Sequence, residues 1–130
     1  MSAETERTEA THIWVTFDKV GFHRYPDAPN DVAYLRDVHR HVFKFKVMIT
    51  VWHDDREIEF HMLKTWLVSL YDEKVMNVDY KSCEMLAKEL LNKITDKYDC
   101  SARIVSVDVS EDGECGATVS SRPKQTQASA

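Results

Sequence analysis

The sequence predicts an α+β domain in which an antiparallel four-stranded sheet is covered on one face by two helices, in the order ββααββ. Two stretches of alternating polarity lie in the first part of the chain and two in the last, and between them two consecutive stretches repeat their apolar residues at helical spacing. The 130 residues, 43% of them hydrophobic, are enough for one ordinary core without disulfide staples. No internal repeat or Gly/Ser linker divides them, so residues 11–119 read as a single domain between polar ends, 1–10 and 120–130, expected to be flexible.

The first strand is read from Ile13, Val15 and Phe17, which alternate with His12, Trp14 and Thr16. From Gly21 to Val38 the chain turns to Pro26, Asp27, Pro29, Asn30 and Asp31, the composition of a long loop, and long loops in small domains are often functional. The second strand is the clearest: Phe43, Phe45, Val47, Ile49 and Val51 share one parity, with Lys44, Lys46 and Thr50 on the other. Phe60, Leu63, Leu67, Leu70 and Tyr71 then recur at helical spacing behind Glu57 and Glu59, whose charge suits a helix N-terminus. A second helix starts at Ser82 as N-cap, with Glu84 in its first turn and an apolar stripe of Cys83, Leu86, Ala87, Leu90, Leu91, Ile94 and Tyr98. Arg103 to Val109 alternates again, and Asp112-Gly113 is a hairpin signal before Cys115, Ala117 and Val119.

Composition excludes several function classes. Seventeen Lys+Arg against 22 Asp+Glu leave a net charge of −5, which argues against a broad nucleic-acid surface. Lys44 and Lys46 are simply the solvent parity of a strand. No apolar run approaches the ~20 residues of a membrane span. Three widely spaced cysteines, Cys83, Cys100 and Cys115, without a CxxC pair, point to a reduced, cytoplasmic setting. Cys83 and Cys115 read as buried small apolar residues.

The informative residues are His39 and His41. Two apart on an extended segment, they leave the same face as Phe43, Phe45 and Val47, at the end of the buried side. Two imidazoles so placed can share a divalent metal if a third ligand comes from elsewhere, and His23, at the mouth of the expected loop, is the natural candidate. HxH alone is a weak signal; His12, His53 and His61 show no such pattern and read as surface residues. Asp37, two residues before His39 and of the same parity, is a base, a solvated loop acid or a partner orienting an imidazole.

With these residues in view, the chain resembles the 6-pyruvoyl tetrahydropterin synthase and 6-carboxytetrahydropterin synthase family, whose tunnelling fold (T-fold) has the order ββααββ. Gly21-Phe22-His23-Arg24-Tyr25-Pro26 is similar to the family's AAHRLP-like segment, and His39-Arg40-His41 to its HGH pair. Glu57 to Lys64 resembles its MVIDFGDLK entry to helix one, and Ser82-Cys83-Glu84-Met85-Leu86-Ala87 its PTSENLA start of helix two. The resemblance implies Zn2+ on His23, His39 and His41, a pterin-like substrate, and homo-oligomeric barrels with sites at subunit interfaces, a trimer-based hexamer first among them.

The departures are as specific. The family's catalytic Cys stands four residues before the HxH pair, at what is Leu35 here, and the His of its LDHxxLN-like segment is Glu73, beside a retained Asp72. A carboxylate whose pKa is raised by partial burial can replace a thiolate as base. Glu73, paired with Asp72, is therefore the first catalytic candidate and Asp37 the second. The family's pterin-anchoring Glu falls near Val109-Ser110, so Asp108 and Glu111, with Glu84, are the candidate substrate-binding carboxylates. The resemblance thus implies a divergent zinc-dependent lyase acting on a pterin or deazapurine-precursor heterocycle, of the kind used in queuosine biosynthesis. The alternative is a non-catalytic T-fold protein that binds a ligand or builds an assembly.

Overall fold

In the computed structural model, which describes residues 9–98 and 100–121, seven main elements share one sheet and one core. The strands are β1 (Thr11–His23), β2 (His39–Val51), β3 (Val75–Asp79), β4 (Val105–Glu111) and β5 (Cys115–Ser121); the helices are α1 (Phe60–Ser69) and α2 (Cys83–Lys97). Most of the two expected flexible ends lies outside the described residues, although β5 runs two residues past the expected domain limit at 119.

The sheet has five strands in the order β3-β1-β2-β4-β5, not four. The expected β1–β2 and β4–β5 hairpins form, and β2 pairs antiparallel with β4. The addition is β3, which lies between the helices in sequence and pairs parallel with Val20–His23 of β1, so the order is ββαβαββ and the sheet is mixed. It is only five residues long, too short to announce itself by alternation. Met76 and Val78 are its two buried positions, and Asn77 and Asp79 resemble a turn.

One parity rule builds the core. Odd-numbered residues of β1, β2 and β4 face inward, giving buried Val15 and Phe17, then Phe43, Phe45, Val47, Ile49 and Val51, then Val105, Val107 and Val109. Against this face pack Leu63 and Leu67 of α1 and Leu86, Ala87, Leu90 and Ile94 of α2, as the two apolar stripes require. Ser82 caps α2, its hydroxyl accepting from Met85 N. Glu59 caps α1 by accepting from His61 N and Met62 N. Glu57 stands outside the helix, where it accepts from Trp52 N and pairs with Arg103.

The loop begins later than composition suggests. Gly21, Phe22 and His23 continue β1, because Gly21 lets Phe43 of β2 close against the backbone: a Cβ there would sit 2.8 Å from the Phe43 ring. The remaining excursion contains a 3-10 segment, Asn30–Leu35, kinked at Val32. Extending β1 to His23 is what carries that imidazole into the sheet.

Candidate metal centre

The antiparallel register of β1 and β2 pairs His23 with His39, and Gly21 with His41. All three imidazoles therefore leave the inward face at the end of this hairpin where the 24–38 connection joins the strands, His41 one pleat nearer the core. Their ring centroids lie 4.5 Å (His23–His39), 5.0 Å (His23–His41) and 4.9 Å (His39–His41) apart. Phe43 forms the floor, edge to face with His23 at 5.2 Å and His41 at 5.9 Å. One ligand atom from each histidine lies within 4.8 Å of the others, so small side-chain adjustments suffice for a shared ion.

The outer nitrogens fix which atoms face inward. Nδ1 of His23 donates to the Lys81 carbonyl at 3.2 Å, Nδ1 of His39 to the Asp37 carbonyl at 2.8 Å, and Nδ1 of His41 to Asp112 Oδ2 at 2.7 Å. These acceptors assign the proton of each neutral ring to Nδ1 and leave three Nε2 lone pairs directed inward. Burial holds the pKa of His23 below its ordinary value, against the smaller raising effects of the Lys81 carbonyl and Glu111.

Glu111, at the end of β4, closes the cluster, with Oε2 3.0 Å from His23 Nε2 and Oε1 3.7 Å from His41 Nε2. Both nitrogens are buried and have no hydrogen-bond partner among the described residues. Lone pairs facing a carboxylate repel unless a positive charge lies between them, and burial opposes protonating His23 for that purpose. A divalent cation held by the three imidazoles resolves the conflict, with the Glu111 carboxylate beside it rather than among its ligands, and three imidazoles are a donor set that zinc accepts.

The cluster opens on a cavity of about 520 Å³, lined among others by His23, His39, Tyr25, Leu35, Tyr80, Glu84, Glu111 and Cys115. Glu84 and Glu111 are thus on the cavity wall. Asp108 has the opposite parity to Glu111 and accepts from Thr118 Oγ1 at 2.7 Å, so it is turned away from this cavity. Asp37 contributes its backbone carbonyl to His39, while its side chain is exposed. Asp72 and Glu73 are exposed after α1, where Lys19 Nζ donates to the Glu73 carbonyl; Lys19 precedes His23 by four residues, roughly 13 Å along β1. They do not line the cavity of their own chain.

Two residues carry more than the sequence suggested. Cys115 is exposed rather than buried and lines the cavity, directly across the hairpin from Glu111. Asp112, read only as a turn former, holds His41. The signal for both was the Asp112-Gly113 turn, which fixes where β5 starts and hence which residue faces Glu111. Cys83 is buried as expected, its thiol pushed up to about 12 chiefly by burial.

Among solved structures the chain is similar to 6-pyruvoyl tetrahydropterin synthase from Plasmodium falciparum, with 14% identity, 87% of this chain and 98% of that chain covered, and a TM-score of 0.63. It is similar also to an uncharacterized protein from Wolinella succinogenes, with 14% identity, 86% and 98% coverage and a TM-score of 0.63. The 6-pyruvoyl tetrahydropterin synthase from Plasmodium vivax matches at 12% identity, with 88% and 99% coverage and a TM-score of 0.61. No protein-family model and no curated protein matches the sequence. At these identities the likeness establishes a shared fold.

Proposed function

We propose that this chain is a zinc-dependent enzyme of the pterin synthase type, acting on a pterin or related purine-like heterocycle by lyase chemistry. The observation that carries the reading is the clustering of one ligand atom from each of His23, His39 and His41 within 4.8 Å of one another, beside the Glu111 carboxylate and at a cavity lined by His23, His39 and Glu111. The fold shared with two 6-pyruvoyl tetrahydropterin synthases supports the substrate class.

His23, His39 and His41 would hold the zinc, which when bound supplies Lewis acidity toward an oxygen of the substrate side chain. The chain's own residues do the rest. Glu111 is the carboxylate beside the Nε2 atoms of His23 and His41, and so the group best placed to take a proton from a carbon beside that oxygen. Cys115, its cross-strand neighbour, presents a thiol to the same space, with opposed Cβ atoms about 4.5–5.5 Å apart in such pairs. Glu84, on the wall formed by the start of α2, can accept N–H groups of a heterocycle. Asp72, Glu73 and the Asp37 side chain can act only where a neighbouring copy brings them to a cavity. Both β3 and β5 are edge strands, and pairing them in a homo-oligomer, a trimer-based hexamer by resemblance, is the arrangement that would do so. A cytoplasmic location fits free thiols such as the exposed Cys115.

One observation favours a non-catalytic ligand-binding protein: Leu35 lines the cavity at the position where the resemblance expects a thiol. Turnover of dihydroneopterin triphosphate and purine-like relatives, measured on wild type, Glu111→Gln and Glu73→Gln, separates the two. Turnover that falls in either variant supports the enzyme. No turnover with any of these substrates, and unchanged ligand binding in both variants, supports the alternative.

A further inference from the structure

We propose that Asp112 is the positioning residue of the metal centre, the group that decides which nitrogen of His41 is free to bind a cation. It stands at the first central position of the turn between β4 and β5, with φ of 59° followed by 75° at Gly113, and Glu114 N donates to Glu111 O at 3.1 Å. Positive φ at both central residues is the pattern of a type I′ turn, which Asp-Gly suits. The turn is bound to β2 by three hydrogen bonds. Asp112 N donates to Val42 O at 2.8 Å, Asp112 Oδ1 accepts from Val42 N at 2.8 Å, and Asp112 Oδ2 accepts from His41 Nδ1 at 2.7 Å.

The three histidines differ in what fixes their protons. His23 and His39 donate to the main-chain carbonyls of Lys81 and Asp37, acceptors that no side-chain substitution removes. His41 alone of the three depends on a side chain. An ionised carboxylate can only accept, so Nδ1 must carry the proton and Nε2 the lone pair. Asparagine is nearly isosteric and tolerates positive φ, but its amide can keep the Val42 bond through oxygen and turn its NH2 toward Nδ1. The proton then belongs on Nε2, where it points at Glu111 Oε1, 3.7 Å away. That tautomer gains a favourable contact with the carboxylate and loses its lone pair for the metal.

The test is Asp112→Asn, with Asp112→Gly as a second variant that keeps the turn conformation but has no side-chain oxygen. The affinity arm rests on the zinc reading above; the tautomer arm does not. Ring nitrogen chemical shifts of His41 in metal-free protein should show Nδ1–H in the wild type, Nε2–H in Asp112→Asn, and loss of the single Nδ1–H form in Asp112→Gly. Competition with a chromophoric chelator should show Zn2+ affinity lower by about 10–100-fold in Asp112→Asn, the usual effect of removing such an outer partner. A wild type that binds no Zn2+ defeats the proposed function and leaves the tautomer measurement to decide this one. His41 remaining Nδ1-protonated in both variants, or Zn2+ affinity in Asp112→Asn equal to wild type, overturns the assignment.

Discussion

Glu111 of β4 places a carboxylate oxygen 3.0 Å from Nε2 of His23 on β1, although those strands do not pair and β2 runs between them. The contact exists because both residues are the last of their strands on the inward face, so the sheet's two outer neighbours of β2 meet over its first residues.

The first prediction follows from that contact. Glu111→Gln should lower turnover by about 10²-fold or more, the scale of a lost acid–base group, while zinc content stays at the wild-type level. Steady-state kinetics beside metal analysis checks it. Unchanged kcat would assign proton transfer to another group.

The thiols should differ sharply in reactivity. Cys115 and Cys83 both line the cavity, but Cys115 is exposed, whereas Cys83 is buried and its thiol is pushed up to about 12. Brief treatment of the folded protein with iodoacetamide, followed by peptide mass mapping, should find carbamidomethyl on Cys115 and none on Cys83. Equal labelling of the two would contradict the wall as described.

Gly21→Ala should disturb both stability and the metal centre. The new Cβ would meet the Phe43 ring at 2.8 Å and Met76 O at 3.3 Å, between β2 on one side and β3 on the other. Phe43 is fully buried and forms the floor under His23 and His41, so moving it strains the core and tilts the imidazoles. Urea unfolding should show a loss of about 1–3 kcal/mol, typical of overpacking, and zinc affinity should fall with it.

Acid should destabilise the fold in two stages. In metal-free protein the lowered pKa of His23, set by burial, means that the unfolded chain binds a proton more readily than the folded one, so stability present above pH 6.5 declines as pH falls through that value. Below the ordinary carboxylate values of 4.5 and 3.8 a second decline begins. Glu57 is held down first by Arg103, Glu59 by the α1 amide of His61, and Asp112 by Val42 N, and each loses its partners' contribution as it protonates. Urea midpoints measured between pH 8 and pH 3 check the order of the two stages.

Much of this was legible in the sequence because strand parity is a strong code. Phe43 to Val51 announced β2, and the same parity extended to His41 and His39 placed both rings on the buried face before any fold was known. His23 was legible as the third ligand from its place at the loop mouth and from the motif around it, but its position opposite His39 comes from a β1 that continues past Gly21, where composition suggests a loop. The missed strand, β3, owes its existence to pairing with β1 rather than to its own five residues. Glu73 and Asp72 were chosen by position in a motif, and only the folded chain shows that they lie beside Lys19. Cys115 was misread because exposure at a hairpin mouth depends on register, which a local pattern does not carry.

The most direct measurement is the zinc content of the purified protein, wild type beside His39→Ala, with native mass recorded on the same samples to confirm that assembly is unchanged. Three converging imidazoles predict one zinc per chain in the wild type, and a loss of that zinc in the variant without a change of assembly. Wild-type protein without stoichiometric zinc, or a variant that keeps it, would contradict the account.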